Sequence, residues 1–358
     1  MTDSAQYAGP DESKPVALVL GITGGAGGAV AEKLLANGYT VRAMHRNAAA
    51  NAMKAPQYDW VSGDAMNRDD VMKAASGAEL IVHAVNPPGY RNWGTLVLPM
   101  IDNTIAAAEA TGARILVPGN VYNFAPETFG SITEESPQNP ATVKGKIRVT
   151  LEERLEAAAR RGTQVILVRA GDFFGPDAGG SWFAQAVVKP GAPVKAITNP
   201  SDPGVGHQWA YLPDVAETMV QLVARADELP SFARFHMEGF WDHDGEQLGQ
   251  AIRRVTCLAG LRTKPFPWWM LRLGKPFVPV FRELLEMRYL WQRALHMRND
   301  RLVAFLGAEP HTPIDQAIRE TLSSLGCLDA KTAPEAPHIR AIAGGERLSA
   351  GEPREVNV

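Results

Sequence analysis

The stretch V-A-L-V-L-G-I-T-G-G-A-G-G-A-V, residues 16 to 30, decides the fold. Five apolar strand formers run into a turn that carries Gly21, Gly24, Gly25, Gly27 and Gly28, and a helical pattern follows at once. Strand, glycine turn and helix together set a helix N-terminus beneath a phosphate. Glycine is needed there because a Cβ would keep backbone N–H groups away from a pyrophosphate, and some turn positions require φ > 0. Gly21, Thr23, Gly24, Gly25 and Gly27 are therefore the expected cradle of a dinucleotide.

Working outward, strand-like and helical segments alternate every few tens of residues. A helix is expected over Ala29–Asn37, with Gly38 closing it. Strands are expected at Thr40–Met44, Trp60–Gly63, Glu79–Val85, Ala113–Val117 and Gln164–Arg169. Helices are expected at Arg68–Ala75, Leu96–Ala110 and Lys144–Arg160. His207–Leu212 with Asp214–Ala226 reads as one more strand–helix unit returning to the sheet, and Arg234–Met237 as a last strand. The remainder reads mainly as helices, at Gly245–Ala259, Trp268–Leu273, Arg282–His296 and Pro313–Leu325. This alternation predicts an α/β protein with a doubly wound parallel (Rossmann) sheet and a smaller, mainly helical C-terminal substrate domain. The expected divisions are a loose tail over 1–14, a dinucleotide-binding domain over 15–180 completed by about 205–240, a substrate-binding lid from 181–204 and 241–328, and an aperiodic tail over 329–358.

Bulk properties narrow the function class. The chain has 358 residues, 45% of them hydrophobic, and a formal charge of −3 with acids and bases interspersed. That balance gives no reason to expect nucleic acid. Its two cysteines, Cys257 and Cys327, are too few and too far apart for a disulfide framework, so a cytoplasmic protein is expected. No apolar run reaches the ~20 residues that span a bilayer, so stable membrane insertion is not expected. The aromatic, Pro-rich region Phe266–Phe281, with Arg272 and Lys275, suits a substrate-domain core or a homodimer face better than a membrane surface.

The second strand indicates which dinucleotide binds. An NAD site usually ends that strand with Asp or Glu, which accepts from the ribose 2′-hydroxyl. Here the residues are His45 and Arg46, which suit a 2′-phosphate, so NADP is preferred and NAD is the alternative. Asp64 and Ala65 follow the third strand in S-G-D-A-M, where the carboxylate either accepts from the adenine amino group or caps the next helix. Ala84, Val85 and Asn86 end the fourth strand, and small residues there let a cofactor backbone pass. Asp242-His243-Asp244 resembles a metal site in composition alone; neighbours at i and i+2 on a loop rarely form one, and no metal is expected.

The chain resembles the extended or atypical short-chain dehydrogenase/reductases, which include the NAD-dependent epimerases and dehydratases. The resemblance rests on G-I-T-G-G-A-G at 21–27, Gly63-Asp64, V-R-A-G-D-F-F-G-P at 168–176, W-A-Y-L-P-D-V-A at 209–216 and L-G-A-E-P-H-T-P at 306–313. It covers Pro15 to Leu325. It implies a catalytic Ser or Thr after the fifth strand and a Tyr-x-x-x-Lys pair opening the next long helix. This chain departs at each position. The Ser or Thr position falls on or near Pro118, the Tyr position on Lys144 and the Lys position on Arg148; Glu152 matches an acid often found four residues on. The last glycine of the family turn is replaced by Val30.

In that family the Tyr phenol exchanges a proton while hydride moves to or from the nicotinamide. Arg148 can hold a ribose hydroxyl but cannot act as an acid or base at ordinary pH. Lys144, four residues earlier on the same helix face, is one candidate proton donor and a cofactor ligand. Tyr122 is the alternative donor, with Tyr90 a weaker one. Trp93, Asn123, Phe124, Phe173, Trp182, His207 and Trp209 suggest an apolar or aromatic small-molecule substrate. Two functions therefore stand. One is an NADP-dependent oxidoreductase, or an epimerase working through a transient ketone. The other is a nucleotide-binding sensor that has lost the catalytic Tyr.

Overall fold

A computed structural model describes residues 14–87, 92–128 and 130–328. The two expected tails (except Lys14) and Tyr90 lie outside these residues. The first part of the chain runs β1 (Val16–Leu20), α1 (Gly25–Ala36), β2 (Thr40–His45), α2 (Ala48–Ala52), β3 (Asp59–Ser62), α3 (Arg68–Ala74), β4 (Leu80–His83), α4 (Trp93–Thr111), β5 (Arg114–Gly119), β6 (Ser131–Ile132), α5 (Val143–Arg160), β7 (Val165–Arg169) and β8 (Asp172–Phe174). The second runs β9 (Ile197–Asn199), β10 (His207–Tyr211), α6 (Leu212–Ala224), β11 (Phe232–His236), β12 (Phe240–Asp242), α7 (Gln247–Thr256), β13 (Thr263–Pro265), α8 (Trp268–Gly274), α9 (Pro279–Glu286), β14 (His296–Met297), α10 (Asp300–Leu306) and α11 (Ile314–Ser324).

Seven strands form one parallel sheet in the order β11-β7-β5-β4-β1-β2-β3. The order reverses at β1, whose neighbours are β2 and β4, so the switch point lies between the carboxyl ends of β1 and β4. Register makes these ends level, because Leu20 pairs with both Met44 and His83. Gly21, His45 and Ala84 therefore leave the sheet along one edge. The buried strands feed two cores. Leu18 and Leu20 point into one, and Ala17 and Val19 into the other, as a period of two requires. The first core continues into Trp268, Leu271, Met287, Trp291 and Ile318, so the C-terminal helices share apolar contacts with one face of the sheet.

Several boundaries depart from the sequence expectation. Helix α1 begins at Gly25, so the glycine run is its first turn. β10 does not return to the main sheet. It pairs in parallel with β8 and antiparallel with β12 in a separate three-stranded sheet. The reason lies at Ala170-Gly171, where the chain leaves β7 and continues as β8. A Cβ on Gly171 would stand 2.2 Å from the Gln208 carbonyl oxygen, so only glycine lets the two backbones approach this closely. The main sheet is completed by β11 instead. The helix expected over Arg282–His296 is broken into α9 and a 3₁₀ turn at Met287–Trp291, and α10 was not expected. Strands of two or three residues, such as β6, β9 and β14, carry no readable alternation.

Candidate functional site

The cradle is built by backbone proximity. Gly21 has φ +89°, and a Cβ on it would stand 2.6 Å from the Ala84 carbonyl oxygen. A Cβ on Gly27 would stand 2.3 Å from the Gly21 carbonyl oxygen. These two glycines hold strand, turn and helix together. Gly24 is the N-cap of α1, contributes no capping side chain, and is followed by a first turn without acidic residues. Thr23 and Gly24, which lead into α1, are exposed, and a helix start leaves its first N–H groups without intrahelical partners. Gly25 faces the other way, where its Cβ would meet a methyl of Leu212 at 2.8 Å. Val30, the family's missing glycine, is buried in the second core. The cradle thus fits a dinucleotide pyrophosphate.

His45 ends β2 with its Nδ1 accepting the Asn47 backbone N–H at 2.9 Å, and its ring edge meets Trp60. Arg46 is exposed beside it. Arg42 is taken up elsewhere, donating to the carbonyls of Ala74 and Ser76 and pairing with Asp59. Asp64 does not cap α3. Asn67 does, accepting from Asp69 and Asp70, while Asp64 Oδ1 accepts the Met66 N–H at 3.0 Å. Ala65 is buried, and its carbonyl accepts from Asn103.

At the end of β4 the structure brings together residues that are distant in sequence. Arg148 Nη2 donates to Asn86 Oδ1 at 3.3 Å, and its guanidinium lies 5.0 Å from the Trp93 ring centre. Tyr122 lies 6.3 Å from the same ring. Asn86, Trp93, Tyr122 and Arg148 thus form one cluster beside Ala84 and the cradle. Lys144 is engaged differently. It is buried, and its ammonium donates to both Glu283 and Glu286 of α9. Glu286 also accepts the Val143 N–H at the start of α5, so α9 is fastened to that helix start. Neither glutamate was singled out in the sequence. The available signal is that no acid occurs from Gln247 to Arg282, and these two follow at once, three apart on one helix face.

Of the expected substrate contacts, all but Phe173 are buried. Asn123 and Phe124 are fully buried. Asn123 donates to Glu152 at 2.8 Å, and Glu152 binds Arg169 through two bonds of 3.0 and 2.5 Å. Arg169 donates to His236 Nε2 at 3.0 Å and lies over Phe124. Burial and the Arg169 charge hold His236 well below its usual pKa. Glu152 therefore ties α5 to β7. Trp182, His207 and Trp209 gather around Trp291, with His207 stacked on it at 3.7 Å and bonded to Asp172 at 2.8 Å. Phe173 is partly buried against the second core. Asp242 accepts the Gln247 and Leu248 N–H groups at the start of α7, and burial raises its pKa.

His83, at the end of β4, was also not singled out. It is buried, bonded to Thr104 at 2.7 Å, and its pKa is pushed down to about 3 by burial and then by Arg148. Between pH 6.5 and about 3 the unfolded chain binds a proton here that the folded chain does not, so this stability is complete above the window and is lost as the pH drops through it. At pH 5 the loss from this residue is expected to be about 2 kcal/mol. Urea unfolding at pH 7.5 and 5.0 measures it. His83→Gln should flatten the difference, and an unchanged difference would place the proton uptake elsewhere.

The comparisons agree with this geometry. The family model described as NAD(P)H-binding matches residues 21–178. The chain is similar to the uncharacterized protein y4nL of Sinorhizobium fredii, with 26% identity over 184 residues, 46% of this chain. It spans about half the length of that relative, 52%. Among solved structures it is similar to the UDP-glucuronic acid 4-epimerase of Bacillus cereus, with a TM-score of 0.67, 12% identity, and 87% of this chain and 98% of the other covered. It is also similar to a nucleoside-diphosphate-sugar epimerase from Pseudomonas aeruginosa, with a TM-score of 0.63, 14% identity, and coverage of 87% and 97%. Residues 21–178 thus match an NAD(P)H-binding family model, and the chain shares its fold with these epimerases.

Proposed function

We propose that the protein is an NADP(H)-dependent oxidoreductase that reduces an apolar or aromatic carbonyl compound or enone, with Tyr122 as its proton donor. The observation that supports this reading is the cluster of Tyr122, Trp93, Arg148 and Asn86 beside the cradle at the carboxyl ends of β4 and β5. Gly21, Gly24 and Gly27 hold the pyrophosphate, Arg46 meets the 2′-phosphate, and Arg148 holds a ribose hydroxyl. When bound, NADPH would supply the hydride for the reduction. Tyr122 gives the carbonyl oxygen its proton, and Trp93 keeps water from that side. Lys144 takes no part in the proton transfer, because its ammonium holds Glu283 and Glu286. The same groups, working in both directions, would serve an epimerisation through a ketone.

Consumption of NADPH with a panel of aromatic aldehydes, ketones and enones tests this. Tyr122→Phe is expected to lower kcat about a hundredfold or more while leaving NADPH affinity within about twofold. Turnover at the unmodified rate would remove Tyr122 from the mechanism. Equal affinities for NADPH and NADH would remove Arg46 from cofactor selection. The engaged state of Lys144 favours the sensor reading as the second one. A protein that binds NADPH tightly and consumes it with no member of the panel would support that reading.

A further inference from the structure

We propose that the α8–α9 corner is a docking surface for anionic lipid bilayers. Among the described residues, half of the strongly exposed large apolar side chains fall in one ten-residue stretch: Trp269, Met270, Leu273, Phe277 and Val278. Phe277 at the tip is 85% exposed, and Leu273 69%. Single exposed apolar residues are ordinary, but a contiguous group of this size marks an interaction site.

The corner is built to hold these side chains outward. On the inner side of α8, Trp268 and Leu271 are buried in the core, and Trp268 Nε1 donates to the Pro200 carbonyl at 2.9 Å. Trp269 and Leu273, four residues apart, share the opposite face with Arg272. The tip is pinned because the N–H groups of Phe277 and Val278 both donate to the Gly274 carbonyl at 3.0 Å. Gly274 is required there, since its Cβ would meet the Phe281 ring at 2.6 Å.

Charge selects the occupant. The whole chain carries −3, yet from Gln247 to Arg282 there are seven basic residues and no acid. Arg262, Lys264, Arg272, Lys275 and Arg282 are exposed, and none has a carboxylate partner among the described residues. Exposed aromatic and aliphatic side chains interspersed along the chain with exposed Lys and Arg suit the headgroup layer of an anionic leaflet. A second copy of the chain is disfavoured, because a two-fold contact through this face would set the same cations against themselves. No helix among the described residues is long and apolar enough to cross a membrane.

Co-sedimentation of the full chain with phosphatidylcholine vesicles, with or without about 30 mol% phosphatidylglycerol, tests the proposal. The expected result is about tenfold stronger binding to the anionic vesicles, lost at high salt. It should be lost in Leu273→Ser/Phe277→Ser and in Arg272→Glu/Lys275→Glu, all exposed positions, while NADPH binding is unchanged. Absence of binding by the unmodified chain at low salt overturns the proposal. So does a dimer in sedimentation velocity that Leu273→Ser/Phe277→Ser converts to monomer without any vesicle binding, which would assign the face to a second copy.

Discussion

Gly27→Ala is expected to weaken NADPH binding about a hundredfold or more, a loss of roughly 3 kcal/mol. The methyl would stand 2.3 Å from the Gly21 carbonyl oxygen and 2.7 Å from its carbonyl carbon. Both are backbone atoms of the turn, which would have to move away from the pyrophosphate. The neighbouring glycines give an internal control. A Cβ on Gly24 meets the Gly21 carbonyl at 3.3 Å, and one on Gly28 meets the Ile22 carbonyl at 3.1 Å. Gly24→Ala and Gly28→Ala are therefore expected to stay within about tenfold of the unmodified affinity. Fluorescence titration gives the affinities, and thermal unfolding of the same samples separates a displaced turn from a lost fold. If Gly27→Ala bound NADPH as well as the unmodified chain, the pyrophosphate would not lie on this turn.

Glu152→Leu is expected to lower stability by about 3–5 kcal/mol. Arg169 is fully buried, and Glu152 is the carboxylate that answers its charge. Removing that carboxylate leaves a guanidinium in the core with His236, which burial and Arg169 itself keep from sharing the charge. Arg234, 3.3 Å from the same carboxylate, also loses its partner. The double variant Glu152→Leu/Arg169→Leu is expected to recover part of the loss, since a buried pair replaced by apolar groups often costs little. Urea unfolding of the single and double variants measures both. A single-variant loss below about 1 kcal/mol would mean that the pair does not hold α5 against β7.

Much of the fold was legible because its signals are local. The β1 apolar run, the glycine turn and the alternation of strands with helices were sufficient to place a parallel doubly wound sheet. The exception is instructive. His207–Tyr211 has the sequence of a buried strand, but the partner it chooses depends on the Gly171–Gln208 approach, a contact between positions far apart in the chain. The glycine turn was also legible, since glycine is demanded by geometry within a few residues. The chemistry in front of it was less so. Lys144 and Arg148 share a helix face in the sequence, yet in the structure they part. Arg148 goes to Trp93 and Asn86, and Lys144 to two glutamates from a helix more than a hundred residues later. Asn123, Phe124, Glu152 and His236 likewise show no short-range pattern, because a buried polar network is defined only by the strands that converge on it.

In the proposed reading a dinucleotide lies on the α1 turn and extends across the switch point toward Tyr122 and Arg148. The structure of an NADPH complex tests it most directly. The expected complex has the pyrophosphate within hydrogen-bond distance of the first free N–H groups of α1, the 2′-phosphate beside Arg46, and the nicotinamide ribose beside Arg148. A pyrophosphate bound away from the Gly21–Gly27 turn, or a nicotinamide directed away from the Trp93–Tyr122 cluster, would contradict it.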